Sequence, residues 1–339
     1  MSGRYTSVAM NRRAFSLVEL LTVMIIIALV ISILVPALGR VRNVSRNTSS
    51  QALLTSASQA CAQFTVDKQR QPGYFSPREM GSLDNATRGL TAMENVMLDL
   101  GGGIVGTGAN RPANAPNAVA ISPVNDTRRQ VWVDVDEFTS SGKSYFKVPA
   151  TSMLRDVGQV ASEASHRDLP DLVDAFGVPM LAWAVDAGAS DPIDAFDDFA
   201  KVSSAAQARI YWNSNAGFLS ATAMGKNKNK NQATKSLIGE DNTSNIPTNL
   251  AGYLGSPANP VDSSRGTNPN NARDWLPATA RGSLMFQYAG EDGIFLSKDD
   301  KGAKLSTNAN TLYYGLTKTV LAGEDLASRF DDILVNAGS

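Results

Sequence analysis

The chain has 339 residues, enough to bury a sizeable hydrophobic core. Its 31 basic and 32 acidic residues give a formal net charge of -1, so composition offers no general reason to expect a polyanionic partner. A single cysteine, Cys61, and a single histidine, His166, exclude an intrachain disulfide and a zinc site built from Cys and His. A Ser-His-Asp triad would need His166, which lies in a polar run and which we interpret as an ordinary surface residue.

The first predicted element is a long apolar helix at residues 17–38, LVELLTVMIIIALVISILVPAL. Such a helix is about 33 Å long at ~1.5 Å per residue, which crosses a bilayer core of about 30 Å. A cleaved secretory signal has a shorter apolar region followed by a small-residue cleavage site. We therefore predict a transmembrane helix that stays with the mature protein. Three arginines precede it and three follow it, so the positive-inside rule does not orient it.

Glu19 is an acidic residue near the start of this apolar run. An ionised carboxylate at that depth is costly unless a partner or water reaches it. Two interpretations are open. The side chain extends to the lipid headgroups, or it meets a positive charge after the protein assembles.

A family resemblance appears at residues 13–20, RAFSLVEL. This segment resembles the processing site of type IV prepilins and type II secretion pseudopilins, in which a short basic leader ends before a Phe and a Glu stands four residues after it. Phe15 and Glu19 match this spacing, and Pro36 falls where many of these proteins have a helix-kinking proline. Ala14 stands where the family usually has Gly. Alanine is the smallest alternative, so we expect the bond before Phe15 to be cut.

The resemblance implies a processing and assembly route. A prepilin peptidase would cut between Ala14 and Phe15, and the new amino terminus on Phe15 would be methylated. The other implied partners are further pilin or pseudopilin subunits, in a homo- or hetero-filament, and the inner-membrane assembly platform with its ATPase. The chain would cross the inner membrane once, with the leader in the cytoplasm and the C-terminal domain on the periplasmic side. Within a filament the amine of Phe15 would pair with Glu19 of a neighbouring subunit.

The predicted fold class is α+β, with a long N-terminal membrane-spanning helix packed on an antiparallel β-sheet domain. Apolar residues continue on one helical face beyond the bilayer, at Val41, Val44, Leu54, Ala57, Cys61 and Phe64. The segment 71–73 (Gln-Pro-Gly) ends the helical pattern. We predict four parts: a cytoplasmic leader (1–14), a transmembrane and assembly helix (15–38), its amphipathic continuation (39–65), and an exported domain (66–339) with a large loop-rich insertion at about 187–281.

Several segments of the exported domain predict strands, a turn or loops. Residues 130–138 alternate apolar and polar side chains as a half-buried strand does, and 144–148 is the predicted hairpin partner. Residues 171–183, DLVDAFGVPMLAW, resemble the "D-aromatic-G-x-P" segment of major pseudopilins. They predict a turn at 177–179 that leads into a strand at 180–185. Within the insertion, we interpret the Lys-Asn run at 226–231 and the residues 243–273 as loops.

An acidic loop lies near the C-terminus. Residues 290–294 (GEDGI), followed by 298–300 (KDD), resemble the "GxDG…DD" loop that binds calcium in some pseudopilins. Asp292, Asp299 and Asp300 could offer the hard oxygen ligands that calcium prefers. This chain departs from the family pattern at residues 296–297, where the loop is commonly Gly-rich. The alternative to a calcium site is a solvated acidic turn.

No enzyme signature emerges from the sequence, and we expect no catalytic activity. The G-x-G-x-x-G spacing at 101–106 lacks the strand before it and the helix after it that a dinucleotide site requires. The lysines at 226, 228 and 230 have no stacking aromatic residues between them, so we do not expect nucleic-acid binding. The favoured function is a structural filament subunit. The alternatives are a minor or tip pilin that binds DNA, a surface or an exported substrate, and a membrane-anchored enzyme.

Overall fold

The computed structural model describes part of the chain, in two compact units, Met1–Ser45 and Arg46–Ser339. The described residues are 16–138, 144–154, 169–189, 193–202, 207–220, 232–256, 277, 279–305, 310–312 and 325–338. Several predictions lie outside them: the leader, the bond between Ala14 and Phe15, the surface role of His166, and the lysine run at 226–231.

The helices and strands occupy these bounds. The helices are α1 Leu17–Lys68, α2 Pro77–Met80, α3 Leu83–Arg88, α4 Ala92–Leu100, α5 Phe196–Phe199, α6 Ala216–Leu219, α7 Gln232–Lys235 and α8 Ile246–Leu254. The strands are β1 Ile104–Thr107, β2 Val119–Ile121, β3 Val131–Val133, β4 Met153–Leu154, β5 Asp171–Leu172, β6 Leu181–Ala184, β7 Ala200–Lys201, β8 Ile210–Tyr211, β9 Leu284–Tyr288 and β10 Ile333–Asn336. The long helix α1 and the antiparallel sheets together confirm the predicted α+β fold class.

Helix α1 contains 52 residues and includes Pro36 within its length. In the second unit one face of α1 is buried, and it includes four of the predicted apolar positions: Leu54, Ala57, Cys61 and Phe64. Val41 and Val44, which belong to the first unit, are exposed. The buried residues of α1 thus begin at Ser50.

The central sheet of the second unit has the order β10–β9–β6, with both pairs antiparallel. All five residues of β9 are buried. Alternate residues of β9 face opposite sides: Phe286 and Tyr288 join the hydrophobic cluster that contains α1, whereas Met285 joins a second cluster. Apart from Gln287, strand β9 consists of apolar and aromatic residues, because both faces of the sheet are covered.

The first cluster lies between α1, α4 and a small sheet of order β1–β3–β2. The predicted strand at 130–138 is present only as Val131–Val133, and its partners are β1 and β2. The predicted hairpin with 144–148 is wrong. Tyr145 N and Phe146 N instead donate to the carbonyl of Leu100, at 2.9 and 3.2 Å, where the C-terminus of α4 needs donors.

The second cluster is built largely by the region predicted as an insertion. Phe199, Trp212, Phe218 and Tyr253 pack there against the second face of the central sheet. Helix α8 lies within the stretch predicted as a loop, and Pro247 stands in its first turn, where a missing N–H costs nothing. The described part of the insertion thus supplies most of the second hydrophobic cluster.

Buried amide side chains hold this second layer together. Asn249 is fully buried, and its Nδ2 donates to the carbonyls of Leu237 and Asn310 at 2.7 and 2.8 Å. Its Oδ1 accepts a hydrogen bond from Leu312 N at 2.9 Å. A single side chain therefore joins the backbone at Leu237 to that of the segment 310–312.

Replacing Asn249 by Ala should remove all three of these buried hydrogen bonds and leave their backbone partners unsatisfied. We expect the free energy of unfolding to fall by about 3 kcal/mol, at ~1 kcal/mol for each bond. Urea unfolding of the detergent-extracted chain measures this change. Asn125→Ala, at an exposed position, is the matched control and should change the unfolding free energy by less than about 0.5 kcal/mol. A similar loss in both variants would contradict the assigned role of Asn249.

Candidate functional site

The start of α1 forms a capping box between Ser16 and Glu19. Ser16 N donates to Glu19 Oε2 at 2.9 Å, and Glu19 N donates to Ser16 Oγ at 3.2 Å. This pair satisfies two of the amide groups that a helix N-terminus leaves without an intrahelical partner. The S-x-x-E pattern at residues 16–19 was a signal for it that the sequence interpretation missed. Glu19 therefore has a local structural role in the single chain.

The apolar part of α1 is exposed along its whole length. Its most apolar 18-residue window has a mean hydropathy of 3.0 and none of that window is buried. Among the described residues, α1 is the one helix long and apolar enough to cross a membrane. Burial of this surface needs a bilayer or other helices, since exposed apolar area costs about 25 cal/mol per Å².

The "D-aromatic-G-x-P" segment forms the predicted turn. Asp174 Oδ1 accepts hydrogen bonds from Phe176 N and Val178 N, both at 2.8 Å, and Gly177 has a φ of 85° that favours glycine. Strand β6 follows, which confirms the predicted strand. The turn contacts α1 twice. The guanidinium of Arg46 lies 5.4 Å from the ring centre of Phe176, and Ala175 N donates to Ser50 Oγ at 3.0 Å.

Three carboxylates meet at the end of the central sheet, from Asp292, Asp300 and Asp331. One oxygen of each lies within 4.8 Å of the others. Asp292 and Asp300 are two of the three predicted calcium ligands, whereas the third, Asp299, is exposed and outside the group. Asp331 takes its place. The sequence interpretation missed it because the residue lies 39 positions after Asp292 and only the pairing of β9 with β10 brings them together.

The backbone after β9 wraps around Asp331. Glu291 N and Asp292 N donate to Asp331 Oδ2 at 3.0 and 3.2 Å, and Asp331 Oδ1 is buried and accepts no hydrogen bond from the described chain. Gly290 makes this approach possible: its φ is 63°, and a Cβ there would lie 2.5 Å from Asp331 Cγ. The turn thus fixes one carboxylate oxygen and leaves the other available to a ligand.

The electrostatics of this group favour a bound cation or proton. Burial, followed by the nearby charges of Asp292 and Asp300, raises the pKa of Asp331 to about 7. Burial also raises the pKa of Asp300. Carboxyl groups that cannot all ionise together at low cost are relieved by a positive charge. Oxygen ligands of this type suit a hard divalent cation such as calcium.

Asp332 contacts the acidic turn, which is the loop of residues 290–300 after β9, from the side of the hydrophobic core. Its carboxyl group is buried and accepts hydrogen bonds from Leu296 N at 2.9 Å and Gln287 Nε2 at 2.6 Å. Burial raises its pKa well above the usual range of an aspartate. Leu296 has a φ of 46°, a left-handed conformation, at one of the positions where the sequence departs from a Gly-rich loop. The bond to Asp332 helps to hold this unusual backbone in place.

Comparison with known proteins identifies the N-terminal segment. The family model of the prokaryotic N-terminal methylation motif matches residues 9–35. No curated protein and no solved structure matches the chain. The protein is therefore type IV pilin-like and carries a prepilin-type signal. This motif supports processing by a prepilin peptidase and assembly with other pilin subunits, and with α1 it fits a membrane-anchored protein.

Proposed function

We propose that this chain is a structural, non-enzymatic subunit of a type II secretion pseudopilus or a related type IV filament. The observation that carries the proposal is the methylation motif at 9–35 joined to an apolar helix with no buried residue in its most apolar window. Such a surface can lie in the inner membrane before assembly and against the helices of other subunits afterwards. The second unit then stands on the periplasmic side, and the assembly platform and its ATPase drive the transfer.

The large insertion favours a second hypothesis, in which the chain is a minor or tip pilin that binds an exported substrate or a surface. The described part of the insertion packs on the second face of the central sheet. Helix α1 is buried against the other face, so a domain that only has to cover α1 would not need this layer. Copy number separates the two readings. A major subunit should dominate sheared filaments, whereas a tip subunit should be scarce in them.

The acidic turn is the second part of the proposal. We propose that Asp292, Asp300 and Asp331, with nearby backbone carbonyls, bind calcium. The support is their mutual distance, the free Oδ1 of Asp331 and the raised pKa of that group. A calcium ion would link the turn after β9 to the start of β10. It would have a structural role and stabilise the second unit.

Processing tests the filament proposal directly. Mass spectrometry of the membrane-extracted protein should find methylated Phe15 as the first residue. Ala14→Gly, which restores the residue usual in the family, should be cut at least as fast, and Ala14→Glu should remain uncut because a charged side chain replaces a small one. A wild-type protein that keeps its leader in the membrane would overturn the filament role.

A further inference from the structure

Two arginines follow the apolar part of α1 directly. Arg40 and Arg42 come after Leu38 within about one helical turn, and both are exposed. No hydrogen bond or ion pair joins either side chain to another described residue. Arg46, one turn after Arg42, differs, because its guanidinium lies 5.4 Å from the ring centre of Phe176. Within the described chain, Arg40 and Arg42 are thus cations without a protein partner.

Their distance from the apolar segment places both arginines at the depth of lipid headgroups. The segment 17–38 fills the bilayer core, and each headgroup layer adds about 5–7 Å to a core of about 30 Å. At ~1.5 Å per residue, Arg40 lies about 3 Å and Arg42 about 6 Å beyond Leu38 along the helix axis. Long basic side chains also keep their charge at the interface while their stems lie along apolar surface. Both guanidinium groups can therefore reach lipid phosphates.

The other end of the span fits the same bilayer. Ser16, which caps α1, lies about 39 Å from Arg42 along the helix axis, at ~1.5 Å per residue. This length agrees with a whole bilayer of about 40–45 Å, headgroups included. The capping box of Ser16 and Glu19 then lies in one headgroup layer and the two arginines lie in the other. Charged side chains therefore mark both ends of the span.

The charge of this part of α1 favours anionic lipids. No acidic residue occurs between Glu19 and Asp67, so the arginines have no compensating carboxylate within the helix. In a zwitterionic headgroup an ammonium group already balances the phosphate, whereas the phosphate of an anionic headgroup is unbalanced. Guanidinium groups bind phosphate oxygens through two parallel hydrogen bonds. In the proposed orientation these arginines stand on the exported side, where basic residues are usually depleted, so membrane topology does not explain them.

We propose that Arg40 and Arg42 bind the phosphates of anionic phospholipids, in the leaflet on the C-terminal side of the apolar segment. These contacts hold α1 at a fixed depth in the membrane before the subunit enters a filament. The site requires the membrane insertion of α1, which is part of the proposed function, and it adds a specific class of lipid as a partner. Transfer of the subunit into a filament breaks the phosphate contacts, so the lipid composition contributes to the barrier to assembly.

The test uses the full chain reconstituted in phosphatidylcholine vesicles with spin-labelled lipids. Electron spin resonance measures how much more strongly the protein immobilises labelled phosphatidylglycerol than labelled phosphatidylcholine. The double variant Arg40→Gln with Arg42→Gln should lower this preference at least about twofold, since two cations leave the headgroup layer. Arg40→Lys with Arg42→Lys keeps both charges and should retain most of the preference. The leader arginines are present in every variant, so the differences between variants report on residues 40 and 42.

The charge-matched control is Arg111→Gln with Arg128→Gln, because both residues are exposed and lie in the second unit, far along the chain from the apolar segment. It should leave the lipid preference unchanged. Resistance to alkaline carbonate extraction tests the insertion of α1 separately, and extraction of the wild-type chain would overturn the membrane anchor together with the lipid site. With the wild-type chain retained, full preference in the double glutamine variant, or an equal loss in the lysine or control variants, would overturn the lipid site alone.

Discussion

Glu19→Gln should insert into the membrane and lose its leader normally, yet be absent from filaments. In the proposed filament, the carboxylate of Glu19 pairs with the amine of Phe15 on a neighbouring subunit. Glutamine keeps a hydrogen-bond acceptor and can still complete the capping box with Ser16, but it carries no charge. The amine would then be left buried without a partner, which costs about 3–5 kcal/mol. That penalty corresponds to a loss of incorporation of about 100-fold or more.

Ser16→Ala separates the two roles of Glu19. This variant removes the hydroxyl that accepts from Glu19 N and keeps the charge of Glu19. It should lose about 1 kcal/mol of helix capping and still enter filaments. Immunoblots of sheared filaments, normalised to processed protein in the membrane fraction, measure each variant. If Glu19→Gln enters filaments like the wild type while Glu19→Ala does not, Glu19 acts as a cap and the charge-pair model is wrong.

The features that the sequence predicted well are those encoded in one short stretch of chain. The membrane segment follows from the composition of residues 17–38, and the turn at Gly177 follows from a glycine two residues before a proline. The motif match at 9–35 rests on the same local information. Neither prediction needed knowledge of which distant residues meet.

The features that the sequence missed depend on distant partners. The segment 144–148 was predicted to pair with 130–138, but the amides of Tyr145 and Phe146 bind the carbonyl of Leu100 and are not available to β3. Apart from the nine-residue α8, the insertion forms its core through four-residue helices and two-residue strands, which are too short to show a hydrophobic period. Asp331 joins Asp292 only because β9 and β10 pair, so the sequence placed the acidic group at adjacent loop residues and included Asp299.

The acidic turn should make the stability of the protein depend on both calcium and pH. Without calcium, the raised pKa of Asp331 means that the folded chain holds a proton which the unfolded chain releases near pH 4. This contribution to stability is present below about pH 4 and is lost as the pH rises to about 7. Calcium and protons compete for the same carboxylate oxygens, so calcium should stabilise the chain most above pH 7.

Thermal unfolding at about pH 8 should therefore show a higher Tm in millimolar calcium, and the increase should disappear at about pH 5. Calcium at 100 times its Kd would add about 2.7 kcal/mol to the free energy of unfolding.

Asp331→Asn should abolish the response of the Tm to calcium. Without calcium at pH 8 this variant should have a higher Tm than the wild type, since asparagine removes one of three clustered charges. Asp299→Asn, outside the group, is the matched control and should respond like the wild type. If Asp299→Asn loses the response and Asp331→Asn keeps it, the calcium ligands are Asp292, Asp299 and Asp300, as the sequence predicted. Asp331, at the start of β10, would then not be a ligand. Loss in Asp331→Asn alone would show that the ion joins two strands that lie far apart in the chain.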